Sequence, residues 1–483
     1  MRGVEADEIA ADCSPLGAGM VFISAPFLFC RTLFGILSIG QEAIRLPPMK
    51  VGQKRVVEVS DVGHAGDGVA RYRNYVLFIP GAAAGDEAEV EITEVGRSHG
   101  RARIVNLVRR SPERTDPRCV YYGSCGGCQL QHLSYEAELR YKRLWVQQAA
   151  SRIGGVEDGV VEPVLSVGSP YNYRERSRFA VQSGSDGNTR IGFRERRSDR
   201  VVDVSECDIQ VSRNNRILER IRQWMLRDGQ GLLSDDDQLM IRSAGEDALL
   251  IHLTDDSGGI GTESAQHLLA QNPELTGVVQ QTGERTVTLA GRDELTFCFN
   301  GLEIVASALA FTQVNRPGAE ILYQQVIAGA EFVEDDVVIE LFSGVGVLTL
   351  QMASHVNSVF SIDLDPAAVS NARCNAARND VTNTTHYQGD AAEGLRELIA
   401  SGCSPTVLVM DPPRAGCSPE LLNEVANLDV RRIMYVSCDF GTWARDVRHL
   451  VGAGWKVHRV VPVDMFPQTA NVEIVSVLDP EGG

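Results

Sequence analysis

The stretch VVIELFSGVGVLTL, residues 337–350, decides the fold class. Its first five residues form an apolar run with the length and β-branched content of a strand buried on both faces. Phe342-Ser343-Gly344-Val345-Gly346 then turns the chain, the glycines letting the backbone approach a ligand closely. A helix begins near Leu348. Outward from this unit, the apolar strands SVFSIDL, TVLVMD, RRIMYVSC and KVHRVVPV alternate with helical stretches such as PAAVSNARCNAARN and PELLNEVANL. Such alternation implies a mostly parallel sheet covered on both faces, so residues 311–483 are expected to form a Rossmann-like α/β domain.

Ligands of open α/β sheets sit at the carboxyl ends of the strands, and several candidate residues fall there. Asp363 ends a strand about 20 residues after the glycine turn, where an acid typically holds ribose hydroxyls. Asp390 ends another, placed to meet an adenine amine. The turn reads E-x-x-x-G-x-G from Glu340 to Gly346. That favours S-adenosylmethionine, which has no phosphate to cradle, over a dinucleotide. VLVMD runs into Asp411-Pro412-Pro413-Arg414, whose prolines fix an extended loop. Amino-methyltransferases carry an aromatic ring at the fourth position of a related loop, so Arg414 argues against methylation of an adenine amine. Cys438 follows the strand RRIMYVS beside the same crevice and is a candidate nucleophile, although an isolated thiol there is more commonly inert and buried. Glu473 opens the last strand.

Upstream, residues 49–110 hold the β-rich runs KRVVEVSDV, NYVLFIP, AEVEITEV and RARIVNLV, separated by the turns GHAGDG, PGAAAGD and GRSHG. This spacing predicts a small OB-type barrel, an architecture common in RNA binding. Residues 111–310 read as a central α+β domain, with a helix over Tyr135–Ile153 and strands at ALLIHLTDD and GVVQQTG. Residues 1–48 read as a weakly structured extension, consistent with a start codon placed too early, because Met49 precedes the first patterned segment. The apolar stretch Met20–Gly40 is broken by Pro26 and Arg31 and follows Glu5, Asp7, Glu8 and Asp12. It therefore lacks the basic leader of a signal peptide and the uninterrupted length of a spanning helix.

The chain has 483 residues, 43% hydrophobic and 23% charged. That is globular composition, with length for about three domains. Its 46 Lys+Arg against 64 Asp+Glu give a formal charge of -18, which excludes wholesale coating of nucleic acid or anionic membrane. A local exception is the arginine-rich segment 171–200, with Arg174, Arg176, Arg178, Arg190, Arg194, Arg196, Arg197 and Arg200 against Glu175, Asp186, Glu195 and Asp199. Tyr171, Tyr173, Phe179 and Phe193 interleave with them, and charge plus stacking surface is what single-stranded RNA requires. The 11 cysteines are an odd number without a secretion signal, so reduced thiols in the cytoplasm are expected. Cys119, Cys125 and Cys128 cluster within ten residues, which points to metal.

Taken together, the barrel phrase GDGVAR…VLFIPGAAAGDEAEVEI, the cysteine array, FTQVN at 311–315, LFSGVG, DPPRAG, YVSCD and MFPQTANVE resemble the RNA uracil-C5 methyltransferases. The branch resembled carries a TRAM domain and an iron–sulfur cluster and modifies 23S ribosomal RNA. The likeness covers residues 50–483. It implies an S-adenosylmethionine-dependent methyltransferase that adds a methyl group to carbon 5 of a uridine through a covalent cysteine adduct. Carbon 5 of uracil is a weak nucleophile, and a thiolate adding to carbon 6 makes it reactive. Cys438 matches the family's nucleophile and Glu473 the base that removes the carbon-5 hydrogen. Asp411 matches the aspartate that holds the uracil edge or orients the loop. Gln313, Phe342, Asp363 and Asp390, with Asp411, match cofactor-binding positions. Val347 stands where the family often has Asn, so it is left out.

The cysteine array Cys119-x5-Cys125-x2-Cys128 is completed at a distance by Cys207 in VSECDI. Thiolates suit zinc or iron–sulfur, and spacing does not choose; the resemblance favours [4Fe–4S], in a structural or RNA-organising role. It further implies ribosomal RNA as partner, no membrane, and a monomer. Two other readings stand beside it: a transfer-RNA uracil-C5 methyltransferase, whose branch usually lacks the β unit and the cysteine array, and a non-catalytic RNA-binding iron–sulfur protein, which retention of both Cys438 and Glu473 opposes.

Overall fold

The computed structural model describes residues 49–482 apart from 158, 184–188, 230, 236 and 256–258. The expectations for residues 1–48, including Met20–Gly40, lie outside the described residues. Among those described, no helix is long and apolar enough to cross a membrane.

Five strands, Lys54–Val62, Asp67–Tyr72, Tyr75–Pro80, Glu87–Val95 and His99–Arg109, close into a barrel. Alternate residues point inward: Ala88, Val90 and Ile92 of one strand join Val57, Val59, Leu77, Ile79 and Ala102 in the barrel core. The strand Asp67–Tyr72 is one that the sequence did not announce. Gly68 explains it, since a Cβ there would meet the Ala82 carbonyl oxygen at 2.6 Å; the glycine that suggests a turn instead lets two chain segments touch. After the barrel the chain is pinned by the buried carboxylate of Asp86, which accepts bonds from Arg114 and from the amides of Ala83 and Ser111.

A second, seven-stranded sheet runs in the order Arg285–Gly291, Gly277–Thr282, Asp247–Thr254, Gln238–Ala244, Arg176–Ser183, Thr189–Arg194, Val201–Asp203. Helices Ser212–Arg227 and Thr262–Gln271 cover one face, burying Ile217, Ile221, Trp224 and Leu268 against Ile241 and Leu250. A hairpin, Glu294–Phe299 with Leu302–Ser307, shares a core with the C-terminal domain.

The C-terminal sheet is the α/β sheet expected from residues 337–350. Its order is Thr384–Gln388, Ser358–Asp363, Val337–Leu341, Val407–Met410, Arg432–Ser437, Glu473–Pro480, Trp455–Val463. The first five strands are parallel, and Glu473–Pro480 inserts antiparallel before the edge. The order reverses at Val337–Leu341, the point where such sheets open a crevice.

The helix expected over 135–153 is α-helical from Tyr135 to Ala149 and widens into a π turn over Ala150–Gly154, ended by Gly155 in the left-handed region (φ +68°). Ser134 caps its start, accepting from the Ala137 amide. It packs on the C-terminal sheet, where Val146 and Ala149 join Trp443, Val457 and Val460. Its Lys142 is fully buried between Glu138 (2.7 Å) and Asp464 (2.5 Å). One cation between two carboxylates cannot offset both charges: burial raises the Glu138 carboxyl to about 7, with the Asp464 charge adding and Lys142 opposing. The triad ties this helix to the loop that leads into Glu473.

Candidate active site

A cavity of about 620 Å³ opens at the carboxyl ends of the parallel strands, and its walls include Gln313, Phe342, Asp363, Asp411, Cys438 and Glu473. The ladder explains why the last two meet. Ser437 pairs with Ile474 across antiparallel strands. Extending that register by one residue sets Cys438, the first residue past its strand, opposite Glu473, the first residue of its own. Asp439 caps helix Phe440–Gly452, accepting from the Gly441 and Thr442 amides at 2.9 Å. Thr442 Oγ1 donates to the Arg414 carbonyl at 3.1 Å. The Cys438 turn and the Asp411–Arg414 loop are thereby tied together.

At the glycine turn Phe342 adopts φ +64°, and Gly344 and Gly346 adopt +55° and +81°. The first is unusual for a bulky residue and costs of order 1–3 kcal/mol. It is held by Phe342 N and Ser343 N, both donating to the Ile362 carbonyl, and by Gly344 N donating to Asp363 Oδ2 at 2.7 Å. Asp390 is not among the cavity's lining residues. It is exposed and caps helix Ala391–Ala400 through the Ala392 and Glu393 amides.

The electrostatics of the cavity are acidic. Burial raises the Asp411 carboxyl to about 7 and that of Glu340 to about 8, the latter against a hydrogen bond from Thr349. Glu473 is pushed well above the ordinary carboxylate range by burial and then by the charge of Asp411, with Arg414 opposing. Its Oε2 is buried and has no hydrogen-bond partner among the described residues. Burial, followed by the Glu473 charge, pushes the Cys438 thiol up to about 12, while Arg414 opposes through charge and a hydrogen bond. A thiol raised to about 12 is protonated at neutral pH, and a raised carboxyl favours its neutral form, so both groups gain competence as pH rises. The rate of adduct formation with 5-fluorouridine-containing substrate RNA is therefore expected to climb between pH 6 and 9, by up to about tenfold per unit while the thiol titrates. A flat profile would show that substrate binding resets the thiol.

Arg414 is the group that sequence reasoning undervalued. It entered as a missing aromatic ring, yet it is the cation beside Cys438, and its Nη2 donates to Asn471 Oδ1 at 2.8 Å. Its place immediately after Asp411-Pro412-Pro413 was the available signal. Tyr323 and Glu340 also line the cavity.

The arginine-rich segment needs a correction. Tyr173 and Phe179 are buried and present no face to a nucleobase. In strand Arg176–Ser183 the odd positions Ser177, Phe179 and Val181 point inward, and Phe179 packs on Phe193 with ring centroids 5.0 Å apart. Several arginines are held by acids: Arg194 by Asp199, Arg200 by Glu195, and Arg196 by Asp67 of the barrel. Arg174 and Arg176 line the active cavity, with Arg176 over the exposed ring of Phe311.

Cys119, Cys125, Cys128 and Cys207 line a second cavity of about 200 Å³. Burial raises the thiols of Cys128 and Cys207 to about 12 and about 11, and neighbouring cysteines add to both shifts. Among the described residues, no group of three or more His, Cys, Asp or Glu is gathered closely enough to hold a metal ion. A tetrahedral ion with bonds of about 2.3 Å would draw its sulfurs to roughly 4 Å from one another.

A TRAM domain model matches residues 48–105, and a model described as tRNA (Uracil-5-)-methyltransferase matches residues 302–480. An uncharacterized RNA methyltransferase of Listeria innocua is 34% identical over 449 residues, covering 89% of this chain and 98% of the relative. One from Halalkalibacterium halodurans is 31% identical with the same coverage. Among solved structures, the Pyrococcus abyssi tRNA (uracil-54, C5)-methyltransferase in complex with S-adenosyl-L-homocysteine superposes with a TM-score of 0.67 at 24% identity, covering 87% of this chain and 99% of that one. That likeness is one of fold.

Proposed function

The chain belongs to the TRAM-containing RNA (uracil-5-)-methyltransferase family, and from that premise we propose that it methylates carbon 5 of a uridine in 23S ribosomal RNA through a covalent adduct on Cys438. The observation that carries this reading is the ladder register that sets Cys438 opposite Glu473 in one cavity with Asp411 and Arg414. As a thiolate, Cys438 Sγ bonds to carbon 6 of uracil, and the ring's electron pair moves onto the carbon-4 oxygen. Asp411 holds the uracil edge or its loop, and Arg414 offsets the negative charge beside the thiolate. Carbon 5 then takes the methyl group, Glu473 accepts the carbon-5 hydrogen as a proton, and the carbon–sulfur bond breaks to return the thiolate. The uridine has to leave its stack to reach the cavity.

S-adenosylmethionine supplies an electrophilic methyl group on a sulfonium. The cavity suits it: Glu340, Asp363 and Asp411 are acidic, as a cationic ligand without phosphate requires, and the glycine turn brings backbone to the crevice. Gln313, Phe342, Asp363 and Asp411 would hold it, with Asp390 at the crevice's outer strand end. In the same reading residues 49–110 are an RNA-binding barrel, 111–310 the cysteine-bearing domain, 311–483 the methyltransferase domain, and 1–48 an extension. The protein acts as a monomer in the cytoplasm.

Labelled-methyl transfer to isolated 23S and transfer RNA tests the substrate. The expected result is label in 5-methyluridine of 23S RNA. Label confined to transfer RNA would install the second reading, which the description of the matching family model favours.

Cys119, Cys125, Cys128 and Cys207 are proposed to hold a [4Fe–4S] cluster. An all-thiolate donor set suits zinc or iron–sulfur alike, and the resemblance to the iron–sulfur branch is what favours the cluster. Protein purified without oxygen is expected to be brown and to carry iron and sulfide. Stoichiometric zinc without iron in elemental analysis would replace the cluster and leave the methyltransferase reading intact.

A further inference from the structure

The cysteine turn and the loop that leads into Glu473 belong to one hydrogen-bonded assembly, and Gln129 sits at its centre. Gln129 follows Cys128 directly. Its amide and that of Leu130 both donate to the Gln468 carbonyl at 3.0 Å. Its side chain faces both ways: Nε2 donates to the Gly126 carbonyl inside the cysteine turn at 2.8 Å, and Oε1 accepts from the Ala470 amide at 3.2 Å. Ala470 lies three residues before Glu473, and Asn471 beside it accepts from Arg414, the cation next to Cys438.

The loop so held is strained. Gln468 is buried, yet it adopts φ +70° without being glycine, a conformation that persists only where the surroundings over-determine it. Here they do. Its amide donates to Glu138 at 2.7 Å, and Glu138 in turn pairs with buried Lys142. Tyr173 donates to the Pro467 carbonyl at 2.9 Å. Removing one brace would leave the chain folded but let residues 469–472 relax, and with them the carboxylate that follows.

We infer that Gln129 is a positioning residue for Glu473, coupling the cysteine turn to removal of the carbon-5 proton. The inference rests on the proposed mechanism and predicts an unequal effect on its steps. Thiolate addition and methyl transfer depend first on Cys438 and the cofactor crevice, which Gln129 reaches only indirectly, through Asn471 and its bond from Arg414, so the smaller effect is expected there. Elimination depends on Glu473.

The test uses the full-length protein, with Gln129→Met, which removes both side-chain bonds, and Gln129→Glu, which can still accept from Ala470 N. Trapping on 5-fluorouridine RNA reads addition and methyl transfer. Turnover on ordinary RNA reads the whole cycle. For Gln129→Met the trapping rate is expected to stay within about twofold of the parent while turnover falls tenfold or more and a protein–RNA adduct builds up. Gln129→Glu keeps the bond from Ala470 N and loses the one to the Gly126 carbonyl, and is expected to recover only part of the turnover. Equal losses in trapping and turnover, in either variant, would reduce Gln129 to a general structural role and overturn the inference. So would unchanged turnover in Gln129→Met. If the parent protein itself traps no fluorinated RNA, the mechanism fails rather than the role of Gln129.

Discussion

Cys438→Ala is expected to abolish methyl transfer, by at least about 10⁴-fold, the scale on which loss of a covalent nucleophile is felt. Without a thiolate on carbon 6, carbon 5 has no enolate behind it, and among the described residues on the cavity wall Cys438 is the one thiol. Cys438 is only half-buried and follows its strand rather than lying within it. Truncation to alanine therefore removes one sulfur from the edge of a cavity and leaves the Ser437–Ile474 ladder and the Asp439 cap intact. Thermal stability and S-adenosylmethionine affinity should stay close to the parent values, and no covalent complex should form with 5-fluorouridine RNA. In the parent protein that complex should persist, because fluorine does not leave as a proton. Normal turnover by Cys438→Ala would remove covalent catalysis from the mechanism altogether.

How much of this was legible beforehand depended on the range of the interaction. The C-terminal strands were readable because a parallel strand buried on both faces leaves an apolar run whose meaning is local. The barrel was readable through its short β-rich runs and the turns between them, except at Asp67–Tyr72, where Gly68 looks like a turn residue until Ala82 is seen against it. What local pattern could not carry was the destination of polar side chains. Lys142 reads as a surface position on a helix mixed with charges. Its burial depends on Asp464, 322 residues away in sequence. Tyr173 and Phe179 looked like stacking surfaces because arginines surround them, but strand alternation turned Phe179 inward and a carbonyl of the base loop claimed the Tyr173 hydroxyl. Asp390 sits at the strand end where it was expected, and its carboxylate caps the helix that follows. Motif order located Cys438 and Glu473; the antiparallel pairing of Ser437 with Ile474 brought their strand ends to one cavity.

Glu473→Gln separates the two halves of the reaction. If Glu473 takes the carbon-5 hydrogen, it acts only after methyl transfer, so the glutamine variant should still add the thiolate and still methylate. It should then stall, and a protein–RNA adduct should accumulate on ordinary, unfluorinated RNA, visible on a denaturing gel. Removing a positioned general base costs typically 10²–10⁴-fold, and turnover should fall by that order. The environment of the carboxyl makes the substitution clean. Burial and Asp411 already hold Glu473 far toward its neutral form, and Oε2 has no partner to lose among the described residues. An amide of the same shape therefore disturbs little in the resting protein, and its effect should appear at the step where an acceptor is needed. Cys438→Ala under the same conditions gives no adduct, so the two variants fail at opposite ends of the covalent intermediate. Rapid turnover by Glu473→Gln with no adduct would mean that water or Asp411 removes the proton, and that Glu473 serves only to begin the strand on which it lies.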